Sequence, residues 1–169
     1  MAMRLYCSSE SSATAVAQPL GVGVHVWRPS VCCWMLPNER VCLRTVIARM
    51  YFALISAGAF EIWYAKADDG TVAHTSYVVG SCLKFRFMRR GDFEIGPCWT
   101  NPSFRGRGIY PYVLQQIVSR VGHRCWMIVD EKNNSSIRGI EKAGFQRIGN
   151  VSRLRWLKIY RKADDDSNY

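Results

Sequence analysis

"FRGRGIYPYVLQQI", residues 104–117, joins a glycine-rich loop with two arginines to the start of a helix pattern. From Tyr110 onward apolar residues recur at helical spacing, and Pro111 falls in the first turn, where a missing N–H breaks no helical bond. The free amides and dipole of a helix N-terminus attract anions. Glycines let a ligand approach the backbone, and arginines add charge and paired donors. The stretch therefore predicts a phosphate-binding loop in front of a helix.

Strand patterns on both sides of this helix predict a βαβ unit. "FEIGPCWT", residues 93–100, precedes the loop, and "CWMIV", residues 125–129, follows the helix. Two strands joined by a crossover helix are expected to be parallel, with a right-handed connection. Gly96-Pro97 interrupts the first strand, because glycine weakens a strand and proline removes a ladder donor. We expect a bulge or an opening of the sheet at this dipeptide.

The rest of the chain predicts further strands. "GVGVHVW", residues 21–27, alternates like a short strand, and "FEIWYAK" with "TVAHTSYVV" forms a hairpin around Asp68-Asp69-Gly70. "LKFRFM", residues 83–88, adds a strand pattern, and two closing strands follow residue 145. The sequence thus predicts an α/β fold of the α+β type.

A first helix is predicted over residues 39–50. Its apolar positions at helical spacing are expected to face the core, and three arginines are expected to face solvent. The apolar set is Leu43, Val46, Ile47 and Met50, and the basic set is Arg40, Arg44 and Arg49.

Length and charge limit the possible functions. A chain of 169 residues suits one domain. We expect that domain to span residues 21–162, between a loose segment over 1–20 and a flexible acidic tail over 163–169. The 23 Lys and Arg against 13 Asp and Glu give a formal charge of +10. Such a chain attracts nucleic acid, an anionic membrane surface or a polyanionic small molecule.

Seven cysteines at irregular spacing indicate reduced thiols, and so a cytoplasmic protein. No apolar run approaches the roughly 20 residues that span a bilayer, so we expect no membrane insertion. His123 and Cys125 lack a companion pair at ligand spacing, and we expect no metal.

Two motifs in order resemble the Gcn5-related N-acetyltransferase (GNAT) superfamily. "RGRGIY" resembles the family's pyrophosphate motif, with Arg105 and Gly108 at matching positions and Tyr110 in place of the final small residue. "VDEKNNSSIRGIEKAGF", residues 129–145, is similar to the family's second block, which ends in a glycine and phenylalanine. In that block Ser135 or Ser136 is the expected helix cap, and Gly144 is the expected left-handed stop.

The resemblance implies a mixed, mostly antiparallel sheet flanked by helices, with acyl-CoA between a central pair of splayed parallel strands. It places Cys98 and Thr100 beside the pantetheine arm and Asn133 near the donor. The pyrophosphate would bind the amides of a loop whose members are Arg105, Gly106, Arg107, Gly108, Ile109 and Tyr110. Acetyl-CoA is the implied donor.

An amine must lose a proton before it attacks a thioester, so a base is needed within reach. Glu94, on the strand before the loop, is the first candidate, and His74, on a hairpin strand, is the second. Either residue could instead have a structural role, as a surface ion-pair partner or a hydrogen-bonded core histidine. Cys98 as an acyl-carrying nucleophile has no evident base, and we prefer direct transfer.

One departure concerns the leaving thiolate. Many members of the family carry a tyrosine before the "EK" pair that protonates it, and this chain has Ile140 there. Another acid, or water, must therefore protonate the thiolate. Tyr110, Tyr77 and Tyr160 are the candidate acids, and the sequence does not rank them.

The acceptor and two competing functions stay open. "GIYPYVL" and "SSIRGIEKAGF" resemble members associated with surface-polysaccharide amino sugars, and a nucleotide-linked amino sugar would suit the basic surface. "KFRFMRR", residues 84–90, and "RLRWLKIYRK", residues 153–162, interleave cations with aromatics, as nucleic-acid- or membrane-binding surfaces do. A GNAT-like domain that binds CoA without catalysis is the other alternative.

Overall fold

One eight-stranded mixed sheet organises the computed structural model of the protein. The structure describes residues 3–8, 15–30, 36, 42–56, 58–81, 87–154 and 159–162, with side chains as far as residue 151. The strands are β1 (Met3–Ser8), β2 (Val22–Trp27), β3 (Phe60–Ala67), β4 (Val72–Gly80), β5 (Phe93–Thr100), β6 (Cys125–Asp130), β7 (Phe145–Leu154) and β8 (Ile159–Lys162). Their order across the sheet is β2-β3-β4-β5-β6-β1-β7-β8.

Neighbouring strands are antiparallel except at the centre of the sheet. There β5 and β6 run parallel and are joined through the crossover helix α2 (Ile109–Val121). This arrangement confirms the predicted mixed, mostly antiparallel fold with a central parallel pair. It also confirms the strands read from "GVGVHVW" and from the hairpin sequences.

Helices cover both faces of the sheet. Residues of α2 and of α3 (Asn134–Lys142) pack in the main core with Trp63 and Ala65 of β3. Helix α1 (Leu43–Ile55) contributes Phe52 to a second cluster with Phe60 of β3 and Val79 of β4. Because alternate strand residues point to opposite faces, the two clusters lie on opposite sides of the sheet. Below we call these sides the α2 face and the α1 face.

None of these helices, in the part of the chain that the structure describes, is long and apolar enough to cross a membrane.

The expectation that residues 1–20 form a loose segment is wrong for Met3–Ser8. These residues form β1, which lies inside the sheet between β6 and β7 and is antiparallel to both. Leu5 and Tyr6 have no exposed surface, and they belong to clusters on opposite faces. An interior strand must bury side chains on both sides, so its sequence does not show the alternation that marks a half-exposed strand.

The prediction for the first helix is wrong in its bounds and in its inward face. The helix begins at Leu43 and ends at Ile55, and three of the four apolar residues expected in the core are exposed, at 73% for Leu43, 57% for Ile47 and 49% for Met50. Arg49, expected in solvent, is 2% exposed, lies over the Trp27 ring and donates to the Tyr77 hydroxyl. Aromatic rings and hydroxyls suit a guanidinium group, so an arginine can replace an apolar residue on the inward face.

Several expectations fall outside the described residues. The strand pattern of residues 83–88 lies mostly there, as does the acidic tail of 163–169. Of the two basic and aromatic stretches, residues 84–86 are not described, and residues 153–162 have no described side chains.

Candidate functional site

The central parallel strands are paired only where they begin. Phe93 pairs with Cys125 and Glu94 with Trp126, and the ladder ends there. Ile95 follows in β5, and after it come Gly96 and Pro97, which are joined by a cis peptide bond. The pairing thus ends just before Gly96-Pro97, as predicted, and leaves a gap between the unpaired parts of β5 and β6 that lead to α2 and α3.

A buried aspartate holds the closed end of this gap. Asp92, 5% exposed, accepts from the Trp126 indole N–H at 2.8 Å and from Arg124 Nε at 3.2 Å. It also accepts from the backbone N–H of Arg89 at 2.9 Å. These bonds tie the start of β5 to the start of β6, so the strands separate only beyond this point.

An extra residue in β5 sends its side chains to two faces. Against β4, Cys98 pairs with Ser76 and Ile95 pairs with Val78, so β5 uses one residue more than β4 over this stretch. A one-residue bulge reverses the facing of the residues that follow it. Consequently Glu94 and Cys98, which would share a face in a regular strand, lie on opposite faces.

Glu94 lies on the α1 face, where its cross-strand partner Val79 packs with Phe60. It is 7% exposed, and its carboxylate extends along the strand to lie over Gly96. A Cβ added at Gly96 would lie 2.8 Å from Glu94 Oε1, so the absent side chain leaves the space that this carboxylate occupies. Gly96 has a φ of 156°, which also favours glycine. The structure therefore places a carboxylate at the point where the strands part.

The glycine loop follows β5 through a 3-10 turn, Pro102–Phe104. The side chain of Asn101 accepts from the backbone N–H of Ser103 at 3.1 Å and caps that turn. The Nε–H of Arg105 then donates to the backbone carbonyl of Thr100 at 3.2 Å. These contacts fix the direction in which the loop leaves the strand.

Two left-handed glycines shape the loop and are open to an approaching group. Gly106 has a φ of 78°, and Gly108, the N-cap of α2, has a φ of 74°. A Cβ added at either position would meet no atom within 4 Å. Two glycines with open surroundings directly before a helix N-terminus fit a pyrophosphate site.

The remaining loop residues have different surroundings. Arg105 and Arg107 are exposed, and the Arg107 guanidinium lies 5.0 Å from the centre of the Phe104 ring. Ile109 is 1% exposed and packs in the main core, so only its backbone amide can face a ligand.

A hydrogen-bonded chain joins β4 to β5 on the α2 face, in the part of β5 that is not paired with β6. His74, with no exposed surface, lies 2.7 Å through Nδ1 from Thr100 Oγ1 and 2.7 Å through Nε2 from Ser76 Oγ. Ser76 in turn donates to Cys98 Sγ at 3.2 Å. Burial lowers the pKa of His74 to about 4 and raises the pKa of Cys98 to about 12. Both groups are therefore neutral near pH 7.

Tyr110 joins this chain from the start of α2. Its hydroxyl is hydrogen-bonded to Cys98, and its ring centroid lies 5.4 Å from that of His74. Burial is the main cause that raises the pKa of Tyr110 well above its ordinary value. The tyrosine that stands in the motif's small-residue position thus reaches β5 in the part of the strand that is not paired with β6.

The helix that starts with the second motif is capped by a different residue from the ones expected. Asn133, not Ser135 or Ser136, is the N-cap of α3, and its side-chain oxygen accepts from the Ser136 N–H at 3.2 Å. The helix ends at Lys142, and Gly144 follows with a φ of 91°, as expected for a left-handed stop. Asn133 therefore lies at the N-terminus of α3, which adjoins the end of β6.

Sequence reasoning missed two residues of the site. Ser76 connects His74 to Cys98, and Gly139 of α3 lies against the Tyr110 ring, where an added Cβ would be 2.5 Å from Cδ1. The spacing of His74 and Ser76, two apart on a strand, was the available signal for a shared face. Gly139 brings α3 into contact with Tyr110 of α2, and no local sequence pattern predicts a contact between two separate helices.

Comparisons with known proteins agree with this geometry. The family described as acetyltransferase (GNAT) family matches residues 30–145. The GCN5-related N-acetyltransferase from Sphaerobacter thermophilus has a TM-score of 0.60 at 14% identity, over 86% of this chain and 48% of that one. A tandem GNAT protein from the clavulanic acid biosynthesis pathway has a TM-score of 0.59 at 14% identity, over 86% and 50%. AAC(6')-Ib, in complex with paromomycin and acetyl-CoA, has a TM-score of 0.56 at 15% identity, over 80% and 88%.

The chain spans about half the length of the first two structures. At these identities the likeness to solved structures shows the fold alone, and no curated protein matches the chain. The family match covers more than half of the sequence and includes the bulged strand, the glycine loop and the second motif. The chain therefore belongs to the GNAT family of acetyltransferases.

Proposed function

We propose that this protein transfers an acetyl group from acetyl-CoA to a primary amine by direct attack of the amine on the thioester. The observation that carries the proposal is the bulge at Gly96-Pro97. It opens the sheet next to the Glu94 carboxylate and leads into a glycine loop that is open to an anion. A thioester held in the gap would have a proton acceptor on one face of the sheet and hydrogen-bonding groups on the other.

The donor would be held mainly by backbone groups. The amides of residues 105–110 would bind the pyrophosphate, and the β5 backbone at Cys98 and Thr100 would lie beside the pantetheine arm. Asn133, the N-cap of α3, would lie near the donor. Acetyl-CoA as the donor is supported by the family match and by its presence in the related fold of AAC(6')-Ib.

Glu94 is the proposed base, because its carboxylate lies over Gly96, where the pairing of β5 with β6 has just ended. It would take the amine proton directly or through one water molecule. His74 is the alternative base. Its position supports Glu94 instead, since both of its ring nitrogens are engaged by hydroxyl groups and no part of it is exposed.

The proposed acceptor is an amino sugar of a surface-polysaccharide precursor, linked to a nucleotide. The anionic nucleotide suits a chain of formal charge +10, which would repel a cationic polyamine. We place the reaction in the cytoplasm. The thiols of Cys7, Cys42, Cys98 and Cys125, all free, are compatible with a reducing compartment.

The test is the release of free thiol from acetyl-CoA in the presence of separate amines. The panel contains nucleotide-linked amino sugars, free amino sugars, peptides with free N-termini, polyamines and aminoglycoside antibiotics. We expect thiol release only with an amine, in amounts equal to the N-acetylated product identified by mass spectrometry. The nucleotide-linked amino sugar should give the highest kcat/KM.

Each other result assigns a different function. Binding of acetyl-CoA without thiol release from any amine would support a CoA-binding domain without catalysis. If acetyl-CoA does not bind and a nucleic acid or an anionic vesicle does, the acetyltransferase assignment is wrong.

A further inference from the structure

Tyr110 crosses from α2 to β5 beyond the point where β5 and β6 separate. Its hydroxyl is hydrogen-bonded to Cys98, four residues after Glu94, the last residue paired with β6. Its ring rests on Gly139 of α3, where an added Cβ would come within 2.5 Å of Cδ1 and 2.8 Å of Cε1. Glycine at this position therefore leaves the space that the Tyr110 ring occupies between α3 and β5.

The partners of Tyr110 are joined by successive hydrogen bonds, and each bond is made by one donated proton. Because Ser76 donates to Cys98, its oxygen is left to accept from His74 Nε2–H. His74 Nδ1 is then unprotonated and accepts from the Thr100 hydroxyl at 2.7 Å. This assignment makes every member neutral, in agreement with the directions of the pKa shifts of His74, Cys98 and Tyr110. A neutral chain holds the Tyr110 hydroxyl in place with its proton present.

We propose that Tyr110 is the catalytic acid that donates its hydroxyl proton to the sulfur leaving the thioester. Cys98, Ser76 and His74 act as positioning residues that hold this hydroxyl beside β5. The inference rests on the proposed acetyl transfer, and it assigns the proton donor for the departing thiolate, a role that Ile140, buried and apolar, cannot fill.

The two other candidate tyrosines do not carry the same argument. Tyr77 packs against Phe52 and Phe60 on the α1 face, and its hydroxyl accepts from Arg49 Nε at 3.3 Å. It is therefore on the side of the sheet opposite to Cys98. Tyr160 has no described side chain.

The placement gives a balanced transfer through the gap. On the α1 face Glu94 takes one proton from the amine as its nitrogen forms the new C–N bond. When the C–S bond breaks, its electron pair goes to sulfur, and Tyr110 supplies the proton on the α2 face that yields the free thiol. Water returns a proton to the Tyr110 oxygen and removes the one held by Glu94, so both residues regain their initial states.

The first variant is Tyr110→Phe, which keeps the ring on Gly139 and removes only the hydroxyl. We expect kcat to fall by about 10²-fold or more, the usual size of a general-acid effect, with little change in acetyl-CoA affinity. A second readout is the pKa of the thiol of bound CoA, followed through the ultraviolet absorbance of the thiolate. The complex with desulfo-CoA serves as the blank for the protein's own thiols and phenols.

A hydroxyl that donates to sulfur stabilises the thiolate, so Tyr110→Phe should raise the pKa of the bound CoA thiol. A residue that only packs would leave that pKa unchanged. Unchanged kcat together with an unchanged thiol pKa in Tyr110→Phe would overturn the inference.

Gly139→Ala is the matched second variant, because it moves the ring and leaves the hydroxyl present. Alanine favours the helix at this position, so a loss of kcat would come from the displaced tyrosine. Gly139→Ala should also lower kcat, and Tyr110→Phe with Gly139→Ala should be no worse than Tyr110→Phe alone, since both act on one group. Additive losses would show that the two residues act separately and would contradict the inference.

The experiment separates failure of this inference from failure of the proposed function. If the wild-type protein binds CoA, acetylates no amine, and still shows the pKa shift on Tyr110→Phe, the contact with sulfur stands and amine transfer is wrong. If the wild-type protein binds no CoA, both are wrong.

Discussion

His74 is held by two hydroxyl groups in a place that water does not reach, and this has a consequence for stability. Burial lowers its pKa to about 4 from an ordinary value of 6.5. The unfolded state therefore binds a proton more readily than the folded state. The folded protein keeps its full stability above pH 6.5 and loses stability as the pH falls from 6.5 toward 4, by about 3 kcal/mol.

We expect His74→Gln to remove this loss, because glutamine does not titrate. The measurement is the free energy of unfolding in urea at pH 8 and at pH 4, for both proteins. The wild-type protein should lose about 3 kcal/mol more than the variant over this range. Equal losses would show that His74 is protonated in the folded state at low pH without penalty.

Glu94→Gln tests the proposed base. It keeps the size of the side chain and removes its proton-accepting form, so turnover should fall by about 10²–10⁴-fold with acetyl-CoA affinity retained. Gly96→Ala should also lower turnover, since its Cβ would displace the Glu94 carboxylate. The comparison is His74→Gln: if that variant loses turnover and Glu94→Gln does not, the roles of the two residues are exchanged.

These residues show what a one-dimensional pattern can and cannot predict about the site. Glu94 was a candidate because it precedes the loop, and this needed only sequence order. Its position on the face opposite to Cys98 follows from one extra residue in β5. Gly96-Pro97 predicted an interruption of the strand, but the number of extra residues is set by the pairing with β4. The link through Ser76 required the same pairing.

At the scale of elements, the junction of β5 and α2 is the most local feature of the fold, and the sequence predicted it well. Its signals are short-range: two glycines with positive φ, a proline in the first turn and an apolar helix pattern. Strand β1 and the face of α1 were predicted wrongly because their environments are set by distant partners. A buried arginine and a strand buried on both sides have no distinctive local pattern.

Gly108→Val tests the loop as an anion site. The side chain would fill the open space beside Gly108, in front of α2, and would strain a left-handed N-cap. Gly122→Val is the matched control, because Gly122 caps the other end of α2 with a φ of 63° and equally open surroundings. Both variants should lose similar stability from backbone strain.

Only Gly108→Val should lose acetyl-CoA affinity, by about 10-fold or more, which corresponds to one or two hydrogen bonds to phosphate. The rise in melting temperature with increasing acetyl-CoA measures this affinity. Equal affinities in the two variants would remove Gly108 from the site.

For the whole molecule, the sheet depends on β1 to join its two parts. Leu5 pairs with Ile128 of β6 on one side and with Gly149 of β7 on the other. Strand β6 also forms one side of the gap. Because β1 pairs with the other edge of β6, β1 helps to hold that side of the site in position. The pairing of β1 with β6 therefore determines whether β6 is in position beside the gap.

Leu5→Ala should therefore destabilise the protein strongly. Leu5 has no exposed surface, and truncating a buried leucine usually costs about 2–5 kcal/mol. Gln146→Ala, at an exposed position of the neighbouring β7, should change stability by no more than about 0.5 kcal/mol. Urea unfolding of the three proteins measures both effects, and similar stabilities for the two variants would show that β1 is not essential to the sheet.

The location of β1 also determines the order of events during synthesis. The ribosome synthesises Leu5 long before Ile128 and Gly149. Strand β1 therefore leaves the ribosome with both of its backbone edges unpaired, before β6 and β7 have been made. Closing contacts so far apart in sequence is slow, so we expect β1 to join β6 and β7 late in folding. During that interval the unpaired strand can form hydrogen bonds with a strand edge of another protein chain. Arg4, in the body of β1 and beside Glu131 in the finished protein, is the kind of charge that discourages such pairing until the correct partners arrive.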